Sequence, residues 1–349
     1  MHSILKVLKR MKNIVLVLLV LSLFSCKNQT QKGDVLNVYT HRHYESDQEL
    51  FKLFEEKTGI KVNVINASAD ELIQKMSLEG RNSPADVLIT VDAGRLHRAK
   101  TSDLLQPISS KILDSIVPAH LKDKDNQWFA VTKRARVIAY AKDRVNPEEL
   151  STFEALTDEK WHNKLVIRSS GNIYNQSLLA SIIANHGEEY AKEWVAGIVK
   201  NMARTPRGND RDQVKAVAAG EGDLAIVNTY YIGLMENSSN PEEVQVTQSI
   251  GLFFPNQETT GTHINVSGAG VAKYAPNKEN AIKFLEFLVS EEAQSVFALS
   301  NYEYPINNNV EVSETLKRWG DFREDTMNLS LLGENNKNAV ILFDEGGWR

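Results

Sequence analysis

The 349-residue chain holds one cysteine, Cys26, so no disulfide can form within it and the rest of the chain has no thiol nucleophile. Blocks of lysine and arginine are missing as well. With 40 basic against 45 acidic side chains and a formal net charge of −5, nothing in the composition suits nucleic acid as a partner. There is no GxSxG elbow, no HExxH and no phosphate-binding GxxxxGK[ST] loop, so the common hydrolase and nucleotide chemistries lack their residues and the chain is not expected to be an enzyme. His41 and His43 make an HxH pair. No third histidine or carboxylate group accompanies them at a metal-ligand spacing, which leaves zinc poorly supported.

The longest apolar run, "IVLVLLVLSLF" (14–24), follows Lys6, Lys9, Arg10 and Lys12 and is too short to span a bilayer as a stable helix. Residues 1–26 therefore read as an export signal, and "MKNIVLVLLVLSLFSC" is a complete one if translation starts at Met11. The signal ends in "LFSC", which resembles a bacterial lipobox. Cys26 is then the lipidated first residue of the mature chain, tethering the protein to a membrane, with residues 27–33 as a polar tether.

Beyond the tether, strand and helix patterns alternate. "VLNVYT" reads as a strand, "SDQELFKLFEEKTG" as a helix with a Ser46/Glu49 capping box and Gly59 as its stop, and "IKVNVI" as a second, parallel strand. "ADVLIT", "KLVIR" and "DLAIV" are further strands, each followed by a helical pattern, and 278–300 reads as one long helix. The class is α/β. Residues 34–349 exceed the usual single domain, which predicts two lobes. The β-rich "WFAVTKRARVIAYAKD" and "GTHINVSGAGVAK" are the natural segments to cross between them.

In open α/β sheets, ligands bind at the loops that leave the carboxyl ends of strands. Three such loops contain tyrosine: "THRHYES" with His43 and Tyr44, "SSGNIYNQS" with Tyr174, and "NTYYIG" with Tyr230 and Tyr231. Four phenols and an imidazole at equivalent positions suit ferric iron, a hard acid that favours anionic oxygen and accepts imidazole. Ionising one phenol at pH 7 costs roughly 4 kcal/mol, and four cost about 16 kcal/mol. A strongly polarising cation can offset that; a sugar or amino acid cannot. Four phenolates on a trivalent ion leave one negative charge, for which Arg42, Arg134 and Arg136 are the nearby counter-charges or anion-binding candidates.

These segments, together with "SPADVLITVDAGRL" and the closing "ILFDEGGWR", resemble the ferric-ion-binding proteins of bacterial ABC transporters, a transferrin-like branch of the type II solute-binding proteins. The resemblance extends over nearly all of 34–349. It implies a two-lobed periplasmic-binding-protein-like type II fold, each lobe a mixed, mainly parallel sheet flanked by helices, with a β-strand hinge. The lobes would be 34–130 with 262–305, and 131–261 with 306–349. It also implies His43, Tyr44, Tyr174, Tyr230 and Tyr231 as the metal ligands and Fe(III) as the transported ligand, with an anion such as carbonate, or a water, left to complete the coordination sphere. Where another branch of the family has a glutamate ligand this chain has Val91, and the neighbouring Asp92 is expected to be structural. Tyr39 and Tyr140 are expected in the core, and His41 outside the ligand set. The implied partners are a permease and an ATPase subunit at the inner membrane. The implied place is the periplasm or the outer face of the cytoplasmic membrane, as a monomer. The competing expectation is a lipoprotein that binds an anion or a small organic solute through its arginines and helix N-termini.

Overall fold

The computed structural model describes residues 34–349. The export signal, Cys26 and the tether lie outside the described residues. The strands are β1 (Val35–Thr40), β2 (Lys61–Asn66), β3 (Val87–Val91), β4 (Phe129–Ala141), β5 (Leu165–Val166), β6 (Leu224–Asn228), β7 (Ile250–Phe253) and β8 (Ile264–Val271). The α-helices run α1 (Glu45–Thr58), α2 (Ala69–Glu79), α3 (Ala93–Thr101), α4 (Lys111–Ile116), α5 (Ile173–His186), α6 (Glu188–Asn201) and α7 (Asp210–Ala218). They continue as α8 (Thr229–Glu236), α9 (Pro241–Gln248), α10 (Lys278–Leu288), α11 (Glu291–Ser300), α12 (Glu314–Trp319), α13 (Ser330–Glu334) and α14 (Asn336–Glu345).

The strand order is β2-β1-β3-β8-β4-β6-β5, with β7 also paired to β4. The β1–β2, β1–β3 and β5–β6 pairs are parallel, as strand–helix–strand crossovers require. The antiparallel pairs all involve β4 or β8. The division of labour along β4 follows from its length of 13 residues. Phe129–Ala135 pairs with β8, with a register shift between Ala130 and Thr132, while Arg136–Tyr140 pairs with β6. One strand thus joins a β2-β1-β3-β8 part to a β6-β5 part. Two further backbone pairings lie beside that junction, Lys133 with Tyr304 and Thr262 with Glu324.

Helices cover both parts with apolar stripes. α1 buries Leu50, Phe51 and Phe54, and Phe54 meets Phe284 of α10 edge-on at 4.9 Å between ring centroids. Small residues set the spacing at the centre: a Cβ on Gly268 of β8 would come within 2.5 Å of Leu96 in α3 and 2.9 Å of the Phe129 carbonyl oxygen. A glycine also serves near the C-terminus. α13 packs on both α3 and α5, and a Cβ on Gly333 would overlap His97.

Two local expectations change. The 278–300 helix is two helices, because Ser290 accepts from the Ala293 amide and starts a new one. The capping box also moves. The first helix begins at Glu45 with Tyr44 as its N-cap residue, and the Asp47 carboxylate accepts from the Tyr44 amide at 3.2 Å. Ser46 is buried inside the first turn with its hydroxyl unpartnered. A carboxylate three residues on outcompetes the Ser46/Glu49 pairing.

Candidate metal centre

All three tyrosine loops leave the carboxyl ends of strands, β1 in one part of the sheet and the adjacent β5 and β6 in the other, and enter helix N-termini. β1 leads through 41–43 to Tyr44, the N-cap of α1. β5 leads through 167–172 to α5, where the Asn172 side chain accepts from the Tyr174 amide at 3.1 Å and places Tyr174 in the first turn. β6 runs directly into α8, whose first three residues are Thr229, Tyr230 and Tyr231. Adjacent phenols converge here because the backbone turns from strand to helix just before them; the rings stand 4.2 Å apart, inclined by 32°.

The four phenols come together. The Tyr174 and Tyr230 hydroxyl oxygens are 3.3 Å apart, and the Tyr44 ring meets Tyr230 edge-on at 6.4 Å. Two oxygens held about 2.0 Å from a small hard cation stand roughly 2.8–3.3 Å apart, so the Tyr174–Tyr230 spacing suits a shared ion. Tyr230 is 2 % exposed and Tyr174 9 %. Tyr44 and Tyr231 are half-buried, and His43 is exposed, stacked on Tyr44 at 5.4 Å with Nδ1 3.5 Å from the His41 carbonyl oxygen. A cavity of about 250 Å³ opens beside them, lined by His41, His43, Tyr44, Arg95, Arg168, Tyr174 and Tyr231.

Burial pushes the Tyr44 phenol up to about 12, reinforced by Glu303 and Tyr174 and opposed by Arg42. Tyr230 and Tyr231 are also raised, first by burial and then by neighbouring phenols, with Arg134 opposing at Tyr230. In the metal-free protein these three are neutral at pH 7, ready to ionise against a cation.

The arginines sort by their partners. Arg42 is buried between Asp47 at 2.9 Å and Glu303 at 3.0 Å, with its guanidinium 5.0 Å from the Tyr44 ring centre. Arg136 pairs with Asp210 at 2.8 Å and donates to Asn175 at 2.6 Å. Arg134 is 1 % exposed and 5.5 Å from the Tyr174 ring centre. Its one hydrogen bond goes to Ser267 Oγ at 3.4 Å, leaving Nε and Nη2 unpartnered. A fourth arginine, Arg168, was not anticipated from the sequence; it shares Asp210 at 2.9 Å and lies 5.6 Å from the Tyr174 ring centre. Its place just past a strand in a tyrosine loop was the available signal. Asp210 and Glu303 were missed too, and no local pattern marks them. Asp210 also accepts from the Asn228 amide at 2.8 Å, fixing the residue before Thr229 and the tandem tyrosines.

The charges nearly close. Four guanidinium groups (Arg42, Arg134, Arg136, Arg168) face three carboxylates (Asp47, Glu303, Asp210), leaving one positive charge. Burial raises the Asp92 carboxyl, opposed first by the charge of Arg134 and less by that of Arg95.

The other singled-out residues lie apart from the phenol oxygens or in supporting roles. Tyr39 is buried and donates to Glu79 at 3.0 Å, and Tyr140 is half-buried in β4. His41 lines the cavity, with a buried Nδ1 that has no partner. Asp92 is fully buried and caps α3 through the Gly94 amide at 2.8 Å. Among the described residues there is no group of three or more His, Cys, Asp or Glu that could hold a metal ion.

Known proteins share this arrangement of elements. Residues 39–295 match the family described as bacterial extracellular solute-binding protein. The iron uptake protein A1 of Synechocystis is 50 % identical over 90 % of this chain and 87 % of its own length. A solved Trichodesmium protein (IdiA, FutA), in complex with iron and citrate ligands, is 52 % identical with a TM-score of 0.89, covering 90 % of this chain and all of that one. The ferric binding protein from Campylobacter jejuni is 50 % identical at a TM-score of 0.85, with the same coverage.

Proposed function

The chain belongs to the bacterial extracellular solute-binding proteins, and on that premise we propose that it is the capture subunit of an iron(III) ABC transporter. Proteins of this kind work with a permease and an ATPase, and no catalytic step is needed for capture. The single observation that carries the reading is the meeting of Tyr44 with Tyr174, Tyr230 and Tyr231, hydroxyls within 3.3 Å for the innermost pair, inside a shell of guanidinium groups with one surplus charge.

In this reading Tyr44 and His43 come from a lobe formed by 34–130 and 262–305. Tyr174, Tyr230 and Tyr231 come from a lobe formed by 131–261 and 306–349. The split of β4 between β8 and β6 supports that division, with the Thr132–Arg136 stretch as the proposed hinge. An ion touching both lobes binds the closed form preferentially, and that difference in affinity drives closure. Fe(III) is the cargo. The cavity beside the phenols, with Arg95 and Arg168 on its wall, offers space and charge for an anionic co-ligand such as carbonate or a polycarboxylate. Lipidation at Cys26 would hold a monomer at the outer face of the membrane.

Titration of metal-stripped protein with ferric and ferrous iron, followed by visible absorbance, tests the reading. Fe(III) is expected to give a phenolate charge-transfer band that saturates at one ion per chain. Saturable binding of an organic solute without colour would favour the organic-solute alternative.

A further inference from the structure

Among the polar contacts that join the two parts of the molecule away from the phenol oxygens, such as His120 with Glu324 and Lys124 with Glu334, one is fully buried and lies at the start of the helix that carries Tyr174. Asp92 follows β3, in the β2-β1-β3-β8 part; Ser177 lies on α5, which follows β5. Ser177 Oγ donates to Asp92 Oδ1 at 2.7 Å, and both residues are fully buried. The second carboxylate oxygen accepts from Asn265 Nδ2 at 2.8 Å, while Asn265 Oδ1 accepts from the Ala93 amide at 2.9 Å. Asp92 is held at φ 82°, in the left-handed region where a residue with a Cβ is strained. Capping α3 does not require that conformation, since ordinary N-cap residues adopt extended angles. The strain aims the carboxylate at α5.

Next to it, Gly94 adjoins the start of α5: a Cβ there would be in ordinary contact, at 3.7 Å, with Ile173 Cδ1 and Ser177 Oγ, and tight only against Asp92 Oδ1 at 3.1 Å. Ser177 is three residues beyond Tyr174, on the same helix face. Whatever holds Ser177 therefore holds the turn that presents the Tyr174 phenol.

We propose that Asp92 and Ser177 form a latch across the cleft, a pair of positioning residues that keeps the first turn of α5, and with it Tyr174, docked in the closed form. The inference rests on the two-lobed ferric reading above. The latch forms only when the lobes meet and needs no metal. It populates the closed form of the metal-free protein and slows iron release from the loaded one. Because Asp92 is committed to Ser177, Asn265 and the α3 amides, it is a clasp and not a ligand.

Ser177→Ala removes the donor and keeps the helix, and Ser177→Thr restores the hydroxyl. Two readouts separate the latch from the metal reading. In loaded protein, loss of the visible band to a competing chelator is expected to be about tenfold faster in Ser177→Ala, the weight of one hydrogen bond to a carboxylate, and near wild type in Ser177→Thr. In metal-free protein, small-angle scattering is expected to show a larger radius of gyration for Ser177→Ala than for wild type. Release at the wild-type rate from Ser177→Ala overturns the latch. Should wild-type protein take up no Fe(III), the ferric reading falls, and equal radii for wild type and Ser177→Ala would then overturn the latch on its own.

Discussion

The two sides of the phenol cluster are built to different specifications. On the β1 side stands one half-buried phenol, Tyr44, beside an exposed His43, and Arg42 there is outmatched by Asp47 and Glu303. On the β5–β6 side stand Tyr174, Tyr230 and Tyr231, with three guanidinium groups near the Tyr174 ring: Arg136 and Arg168, which share the carboxylate of Asp210, and Arg134, which has no ion-pair partner among the described residues. Shelter and positive charge both sit with the three-phenol side. In the proposed ferric reading that side is the receptor for a cation that ionises its ligands, and the β1 side is a cover that completes coordination on closure.

The difference can be broken most forcefully at Tyr230, the most buried of the four. Tyr230→Phe is expected to weaken Fe(III) binding by about a thousandfold or more, the share of one ligand in a strong metal site, while Tyr140→Phe leaves it unchanged. Competition with a chelator measures both, and equal effects would mean that the phenols are not ligands. Acid gives the next largest effect. Phenols raised to about 12 at Tyr44, and raised at Tyr230 and Tyr231, are protonated without metal; as ligands they are expected to ionise on loading and release protons. Affinity then falls with decreasing pH by about one decade per unit for each phenol that ionises. Calorimetry in buffers of different ionisation enthalpy checks the sign; an apparent enthalpy independent of buffer contradicts it.

Arg134 sharpens the electrostatic side of the comparison. Its removal as Arg134→Gln is expected to cost about 10- to 100-fold in affinity and to move the pH dependence upward, because the receptor loses its one unpaired guanidinium. A stability loss with intact affinity would make Arg134 a packing residue. The smallest effect belongs to the cover: His43→Ala is expected to weaken binding about tenfold or less, chiefly through faster release. A loss as large as that of Tyr230→Phe would make the two sides equivalent.

Much of this is legible in the sequence. Alternating strands followed by 3.6-period helices gave the α/β order, and tyrosines in strand-to-helix loops gave the cluster, because both signals are local. What was missed is not local. Arg168 and Asp210 meet 42 residues apart in sequence, and Arg42 and Glu303 meet 261 apart, through the sheet order alone. The two errors in helix ends, at Tyr44 and Ser290, arose where several capping side chains compete within four residues and tertiary packing picks one. The Asp92–Ser177 contact was hidden for the same reason as the arginine network: nothing in "TVDAGRL" or "NQSLLAS" announces the other.

Resonance Raman spectroscopy of the ferric-loaded protein, excited within its visible band, addresses the phenolate centre most directly. Enhanced ring and C–O stretching modes of metal-bound tyrosinate are predicted, diminished in both Tyr230→Phe and Tyr44→Phe. A loaded protein with no tyrosinate enhancement, or one indifferent to the loss of Tyr44, would contradict the claim that phenols from both sides of the molecule hold the ion.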